Sequence, residues 1–129
     1  MPVLTDQAPR PGGHYSQAMV VGDLVFVSGQ LPIAVNGALA SNLTFAEQVR
    51  LALSNVHSII QAAGSDRNAL VKVTAYIVGI ANWAEFNRAY ADVMGPAKPA
   101  RTVVPVSELH HGCLVEIDAI AVRELPAPR

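Results

Sequence analysis

Apolar and polar positions change period several times along the chain, and each change marks an element. Tyr15 to Val21 and Leu24 to Ser28 are apolar-rich runs separated by Gly22-Asp23, a two-residue turn signal, and they predict a β-hairpin. Gly29-Gln30-Leu31-Pro32 ends the second run, and a glycine there lets another backbone or a ligand come close. Asn36-Gly37 marks a further turn, followed by a short edge strand at Ala38 to Ser41. Thr44-Phe45-Ala46-Glu47 has capping-box spacing. Val49, Ala52, Leu53, Val56, Ile59, Ile60 and Ala63 then share one helical face, and Gly64 suits the residue just past its end. The spacing predicts a helix over 45–63. Val71, Val73, Ala75 and Ile77 alternate with Lys72, Thr74 and Tyr76, the mark of a strand with two unlike faces. Asn82-Trp83-Ala84-Glu85 reads as a second N-terminal cap, ahead of a shorter helix with Phe86, Ala89, Tyr90 and Val93 as its stripe. Gly95-Pro96 stops that helix. A strand over Thr102–Val106, a turn over Glu108–Gly112 and a long strand over Cys113–Val122 complete the chain. Residues 1–13, rich in proline and glycine, read as a loop or arm.

The order is β-β-β-α-β-α-β-β, an α+β fold with one mixed six-stranded sheet in a single domain over 1–129. Strands separated by helices suggest parallel crossovers, and the first and last strand pairs suggest antiparallel hairpins. Right-handed crossovers place both helices on one face. The other face is left bare, and a second copy of the chain is its simplest cover. Composition sharpens this: 51% of the 129 residues are hydrophobic and only 15% charged, little polar surface for a small monomer.

Charge and cysteine content narrow the function. Net charge is −1, no basic run exists and aromatics are 5%, which disfavours nucleic acid as a partner. The one cysteine, Cys113, leaves no internal disulfide and suits a reducing compartment. No signal-peptide pattern opens the chain, and charges interrupt its apolar runs, so a cytoplasmic protein without a membrane partner is expected.

Candidate chemistry centres on Pro99-Ala100-Arg101-Thr102, a loop handing over to a strand. A guanidinium there can grip a planar carboxylate with two parallel hydrogen bonds. On the last strand, Glu116 and Asp118 point to the same side among apolar residues. A carboxylate so placed needs a partner or water, and it can orient water or accept a proton. Tyr15, Ser16, Gln17, Ser28, Gly29 and Gln30 gather polar groups at the open end of the first hairpin, and Asn87 on the second helix reads as a tie to a neighbouring loop. His110-His111 lack metal-ligand spacing, and Cys113 lacks an evident activating neighbour. There is no phosphate loop and no dinucleotide fingerprint. Neither a metal nor an organic cofactor is expected.

Together these residues resemble a known family. Gly13-His14-Tyr15-Ser16-Gln17-Ala18, Phe26-Val27-Ser28-Gly29-Gln30, Asn55 with Ala62-Ala63-Gly64, Phe86-Asn87 with Tyr90, Pro99-Ala100-Arg101, and Val115-Glu116-Ile117 with Ala119-Ile120-Ala121 are similar, in order and spacing, to the motifs of the RidA/YjgF family. The resemblance implies a chorismate-mutase-like fold and a homotrimer with pockets at subunit boundaries. It also implies hydrolytic deamination of 2-imino or enamine acids, such as 2-aminoacrylate, to 2-keto acids and ammonia. In that reading Arg101 holds the substrate carboxylate and Glu116 places the water. Tyr15, Ser28, Gly29, Asn87 and Val103 line the pocket. The rival readings are a non-catalytic trimer that binds keto acids and, from the family's older association, a ribonuclease. The chain departs from the family pattern at His14, at Val78-Gly79, at Val103 and at His110, where proline is common. His14 and Val103 bear on substrate choice.

Overall fold

The computed structural model describes residues 1–39 and 42–123. Six strands form one mixed sheet: β1 (Pro2–Val3), β2 (Ala18–Val21), β3 (Leu24–Gln30), β4 (Leu70–Val78), β5 (Ala100–Val106) and β6 (Val115–Val122). Two helices, α1 (Phe45–Ala62) and α2 (Trp83–Met94), complete the fold. The sheet order is β1-β2-β3-β6-β4-β5.

The expected α1 forms for the expected reasons. Thr44 Oγ1 accepts from the Glu47 amide, and the Glu47 side chain accepts from the Thr44 amide. At the other end the Ser65 amide reaches Ile60 O at 2.8 Å and Gly64 reaches Gln61 O, with Gly64 at φ +88°. That left-handed turn needs no side chain at Gly64. The stripe from Val49 to Ile60 is fully buried against β3 and β6. Each such side chain contributes about 1.5–3 kcal/mol by burial.

Four expectations are corrected. The sixth strand is not Ala38 to Ser41: Ala38 and Leu39 are outside any strand, and residues 40 and 41 lie outside the described set. It is instead the arm at Pro2–Val3, paired antiparallel with Met19 and Ala18. The last two strands do not form a hairpin. β6 inserts between β3 and β4, antiparallel to both, and β5 lies parallel to β4 at the sheet edge. The reason is burial. The inward face of β6, Val115, Ile117, Ala119 and Ala121, is at most 2% exposed, so the strand takes the middle of the sheet. β5 carries Pro105, which cannot donate to a ladder and suits an edge. Asn82 does not cap α2 with its side chain; Nδ2 donates to Val78 O instead. Finally, pairing in β2 starts at Ala18 rather than Tyr15, and β6 starts at Val115 rather than Cys113.

The face opposite the helices carries Met19, Val21, Leu24 and Phe26 exposed, with Val21 at 62% and Phe26 at 42%. Ile120 and Val122 continue this apolar strip opposite Phe26 and Leu24. Tyr76, Glu116 and Asp118 make its polar neighbour.

Candidate active site

The expected site residues fall into two groups that one chain holds apart. The first sits at the outer edge of β5. Arg101 is opposite the buried Val73 and so leans to the helix side. Its guanidinium lies over the Tyr90 ring at 4.9 Å and the Phe86 ring at 5.6 Å, and Nη1 donates to Asn87 Oδ1 at 2.9 Å. Stacking and hydrogen bond together fix its direction. Asn87 is exposed, so it is a holder of Arg101 rather than a buried tie to a loop. Val103 follows two residues on along the same face of the strand and packs on the core. Among the described residues no carboxylate lies within salt-bridge distance of Arg101.

The second group lines a cleft of about 830 Å³ between the N-terminal arm, the end of β3 and the loop before β6. Tyr15, Ser28, Gly29 and Glu116 all border it. The β3–β6 register shifts between Val27 and Gln30, so the backbone at Ser28-Gly29 leaves the regular ladder. The Glu116 carboxylate packs on Gly29: a Cβ there would sit 2.9 Å from Oε2 and 3.1 Å from Cδ. Glycine is therefore what admits the carboxylate. The Ser28 hydroxyl is spent on Ser16 O at 2.6 Å. Tyr15 is exposed, and its hydroxyl accepts from the Gly12 amide at 3.3 Å.

Glu116 and Arg101 thus lie on opposite faces of the sheet with β4 between them. Two strand spacings alone separate them by about 10 Å. Within a single chain the two side chains do not meet, and the expected pocket at a subunit boundary is the arrangement in which they could.

Burial pushes the Glu116 carboxyl above the usual carboxylate range; Asp118 adds to this and His110 opposes it. Asp118 is also raised, chiefly by burial, against the pull of Tyr76 and Lys72. Burial likewise raises the Cys113 thiol, with Glu116 adding to it, so the cysteine is no ready nucleophile.

Sequence reasoning missed what builds the cleft walls. Gln17, 1% exposed, accepts from the Thr5 amide at 2.7 Å and donates to Thr5 O, Ala8 O and Pro9 O, which staples the arm down. Asn55 donates to Leu31 O and Ile33 O and fixes the opposite wall. Gln48 accepts from the Leu114 amide, which holds the approach to β6. Polar amides inside apolar stripes were the available signal. His110 and His111 also line the cleft, with ring centroids 3.7 Å apart. His111 adopts φ +60°, a left-handed conformation that costs a β-carbon residue about 1 kcal/mol. His14 does not line the cleft. Among the described residues no group of three metal-ligating side chains gathers, and no helix is long and apolar enough to cross a membrane.

Comparison with known proteins matches the chain along nearly its whole length. The family model described as Endoribonuclease L-PSP matches residues 5–123. A RutC family protein of Pyrococcus horikoshii is 39% identical over 122 residues, covering 95% of this chain and 97% of the relative. Among solved structures, E. coli TdcF with bound serine is 34% identical with a TM-score of 0.89, covering 96% of this chain and 99% of that one. The YjgF gene product of E. coli is 32% identical with a TM-score of 0.90 over the same shares. Matched along nearly its whole length by model, relatives and structures alike, the chain belongs to the endoribonuclease L-PSP family, which takes in the YjgF, RidA and RutC proteins.

Proposed function

We propose that this protein hydrolyses reactive 2-imino or enamine acids of the 2-aminoacrylate type to 2-keto acids and ammonia, at a site completed between copies in a homotrimer. The observation that carries the reading is Arg101, stacked on two rings and aimed by Asn87, with no carboxylate of the described residues against it. It is a preset clamp for an anion that the described residues do not supply. A neighbouring copy set against the edge of β5 would bring its own cleft, with Glu116, Gly29, Ser28 and Tyr15, across to that guanidinium. The apolar strip on the open sheet face supplies a surface for such packing. The solved TdcF structure holds serine, a small carboxylate-bearing molecule, which suits the same clamp.

The chemistry asked of the protein is modest. An imine carbon is already electrophilic, so orientation and a placed water suffice. Arg101 fixes the carboxylate; Asn87 fixes Arg101. An enamine substrate first becomes the imine by gaining a proton at C3 and losing one from nitrogen. Glu116 then takes a proton from the attacking water as oxygen bonds to C2 and the C=N π pair moves to nitrogen. A proton delivered to nitrogen lets it leave as ammonia while the new C–O bond becomes a carbonyl. Val103 sits beside Arg101 and shapes the space for the substrate side chain. No step calls for a cofactor. The proposed location is the cytoplasm, where such intermediates arise.

The test is ammonia release from freshly generated 2-aminoacrylate. Arg101→Ala should reduce it by roughly 10²-fold or more, from loss of two charge-assisted hydrogen bonds, with the oligomer intact. Undiminished release by that variant would end the clamp. The rival binding-only reading keeps Arg101 and expects keto-acid binding with no turnover. A ribonuclease would bind RNA with a steep salt dependence.

A further inference from the structure

The cleft is larger than the substrate proposed for it. Its volume is about 830 Å³, in the range of sites for drug-sized molecules, whereas 2-aminoacrylate is a three-carbon acid. The bulge in β3 decides what stands next to Glu116. Val27 pairs with Ala119 and Gln30 with Ile117, so one extra residue enters β3 between them. Gln30 and Ile117 are both buried on the helix side. The register then carries the next residue, Leu31, level with Glu116 and to the same side of the sheet. From there Leu31, Ile33 and Val35 run along the cleft wall. None of the three belongs to the core or packs against it, and Val35 is 56% exposed. Their backbone is held from the helix side. Asn55, 2% exposed on α1, donates to Leu31 O at 3.1 Å and to Ile33 O at 2.9 Å, and the Ile33 amide donates to Leu31 O at 2.8 Å.

This is an apolar ledge that starts beside the proposed base and that the core does not use. It carries no ionisable residue from Leu31 to Gly37. Of the other ionisable groups bordering the cleft, Asp6 and Arg10 bond to each other at 3.3 Å, and Tyr15, His110 and His111 are themselves exposed. In the proposed site a neighbouring copy would add Val103 beside its Arg101, a second apolar wall. We infer that Leu31, Ile33 and Val35 form the side-chain subsite of the proposed reaction. They select imino acids with a branched apolar side chain, such as the imine of leucine, over three-carbon imines and over those with a charged side chain. This rests on the function proposed above. The bonds made and broken are unchanged: water adds at C2, ammonia leaves and the branched 2-keto acid remains. Burial of extra methyl groups on a preformed wall supplies the discrimination.

The test compares imines made in situ from leucine, alanine and glutamate by amino-acid oxidases, which pass the two electrons to oxygen. The readout is ammonia release above the uncatalysed rate. Binding of the matching keto acids, 4-methyl-2-oxopentanoate, pyruvate and 2-oxoglutarate, is measured by calorimetry and needs no turnover. The leucine imine should exceed the alanine imine in kcat/KM by about tenfold or more, with the glutamate imine slowest, and keto-acid affinity should follow the same order. Leu31→Ala and Ile33→Ala should each lower the leucine-to-alanine ratio by about threefold to tenfold, and Leu31→Met should keep it. Val35→Glu, on an exposed residue, should lower it too. All ratios are read where gel filtration shows the parent's oligomer. If the keto acids bind in this order and Leu31→Ala levels them, but no imine is hydrolysed, the ledge stands and the deaminase reading fails. If imines are hydrolysed but the parent's ratio is near one, the glutamate imine is fastest, or the variants leave the ratio unmoved, the ledge is no subsite and the deaminase reading stands. Variants that break the oligomer yet keep the ratio make the ledge a contact between copies and overturn the inference. With neither turnover nor an ordered binding series, both readings fail.

Discussion

The β5 edge and the cleft solve opposite physical problems. At the edge, a charge that cannot be neutralised is kept solvated in part, laid on aromatic faces and aimed by one amide. In the cleft, a carboxylate is drawn out of water against a glycine and driven toward its neutral form. Arginine tolerates the first setting because its charge is delocalised and weakly hydrated. Glutamate is tuned by the second because its charge can be surrendered. Kept on opposite faces of one sheet, the two cannot annul each other as an internal ion pair. In the proposed reaction both are then available to a substrate that carries an anion at one end and an electrophile at the other.

That contrast can be broken from either side. The largest effect is expected at Gly29. Gly29→Ala forces the Glu116 carboxylate to swing away from a contact that would be 2.9 Å, and the flexible end of the side chain gives way rather than the fold. Ammonia release should fall by roughly 10²-fold, the scale of an ångström misplacement, with an unchanged unfolding midpoint. Full activity would mean that Glu116 acts from elsewhere. Gln17→Ala removes all four bonds that staple the arm and leaves buried partners unmatched. It should cost about 2–3 kcal/mol in urea unfolding at fixed protein concentration and expose residues 4–9 to proteolysis. Unaltered stability would show that the arm is held by β1 pairing alone.

Smaller effects sharpen the edge. Asn87→Ala frees the guanidinium to slide on its two rings, and KM should rise by about threefold to tenfold while kcat changes less. A fall in kcat alone would give Asn87 a different part. The smallest effect is on stability against pH. Glu116 and Asp118 are both raised in the folded chain, so between their ordinary and folded values the folded form binds more protons than the unfolded. Stability then drops as pH climbs through that window and is regained below it. Asp118→Asn should flatten that slope in thermal melts taken from acid to neutral pH; a steeper slope would reverse the assignment.

How much of this was legible in the sequence differs by region for physical reasons. α1 could be read whole, because capping box, stripe and terminal glycine are all local. The two faces of β6 were equally plain from alternation, and Glu116 and Asp118 stood out as carboxylates in an apolar strand. The position of β6 in the sheet was not, since strand order depends on which faces pack, not on chain order. β1 is two residues long, too short for any period to show, and the arm that follows it is held by the tertiary bonding of Gln17. Asn87 was misjudged because a helix position beside Phe86 and Tyr90 gave no hint that Arg101 would come across from β5. That His110 and His111 border the cleft could not be read either, since it depends on how the 3₁₀ turn before β6 folds back against the arm.

The central claim, that one copy's Arg101 works with another copy's Glu116, has a direct measurement. Arg101→Ala and Glu116→Gln chains, each inactive alone, are unfolded together, refolded as a one-to-one mixture, and assayed for ammonia release from 2-aminoacrylate. If sites form between copies, random assembly regenerates intact pairs at about a quarter of positions, and about a quarter of the parent activity returns. A mixture as inactive as its components would contradict the account.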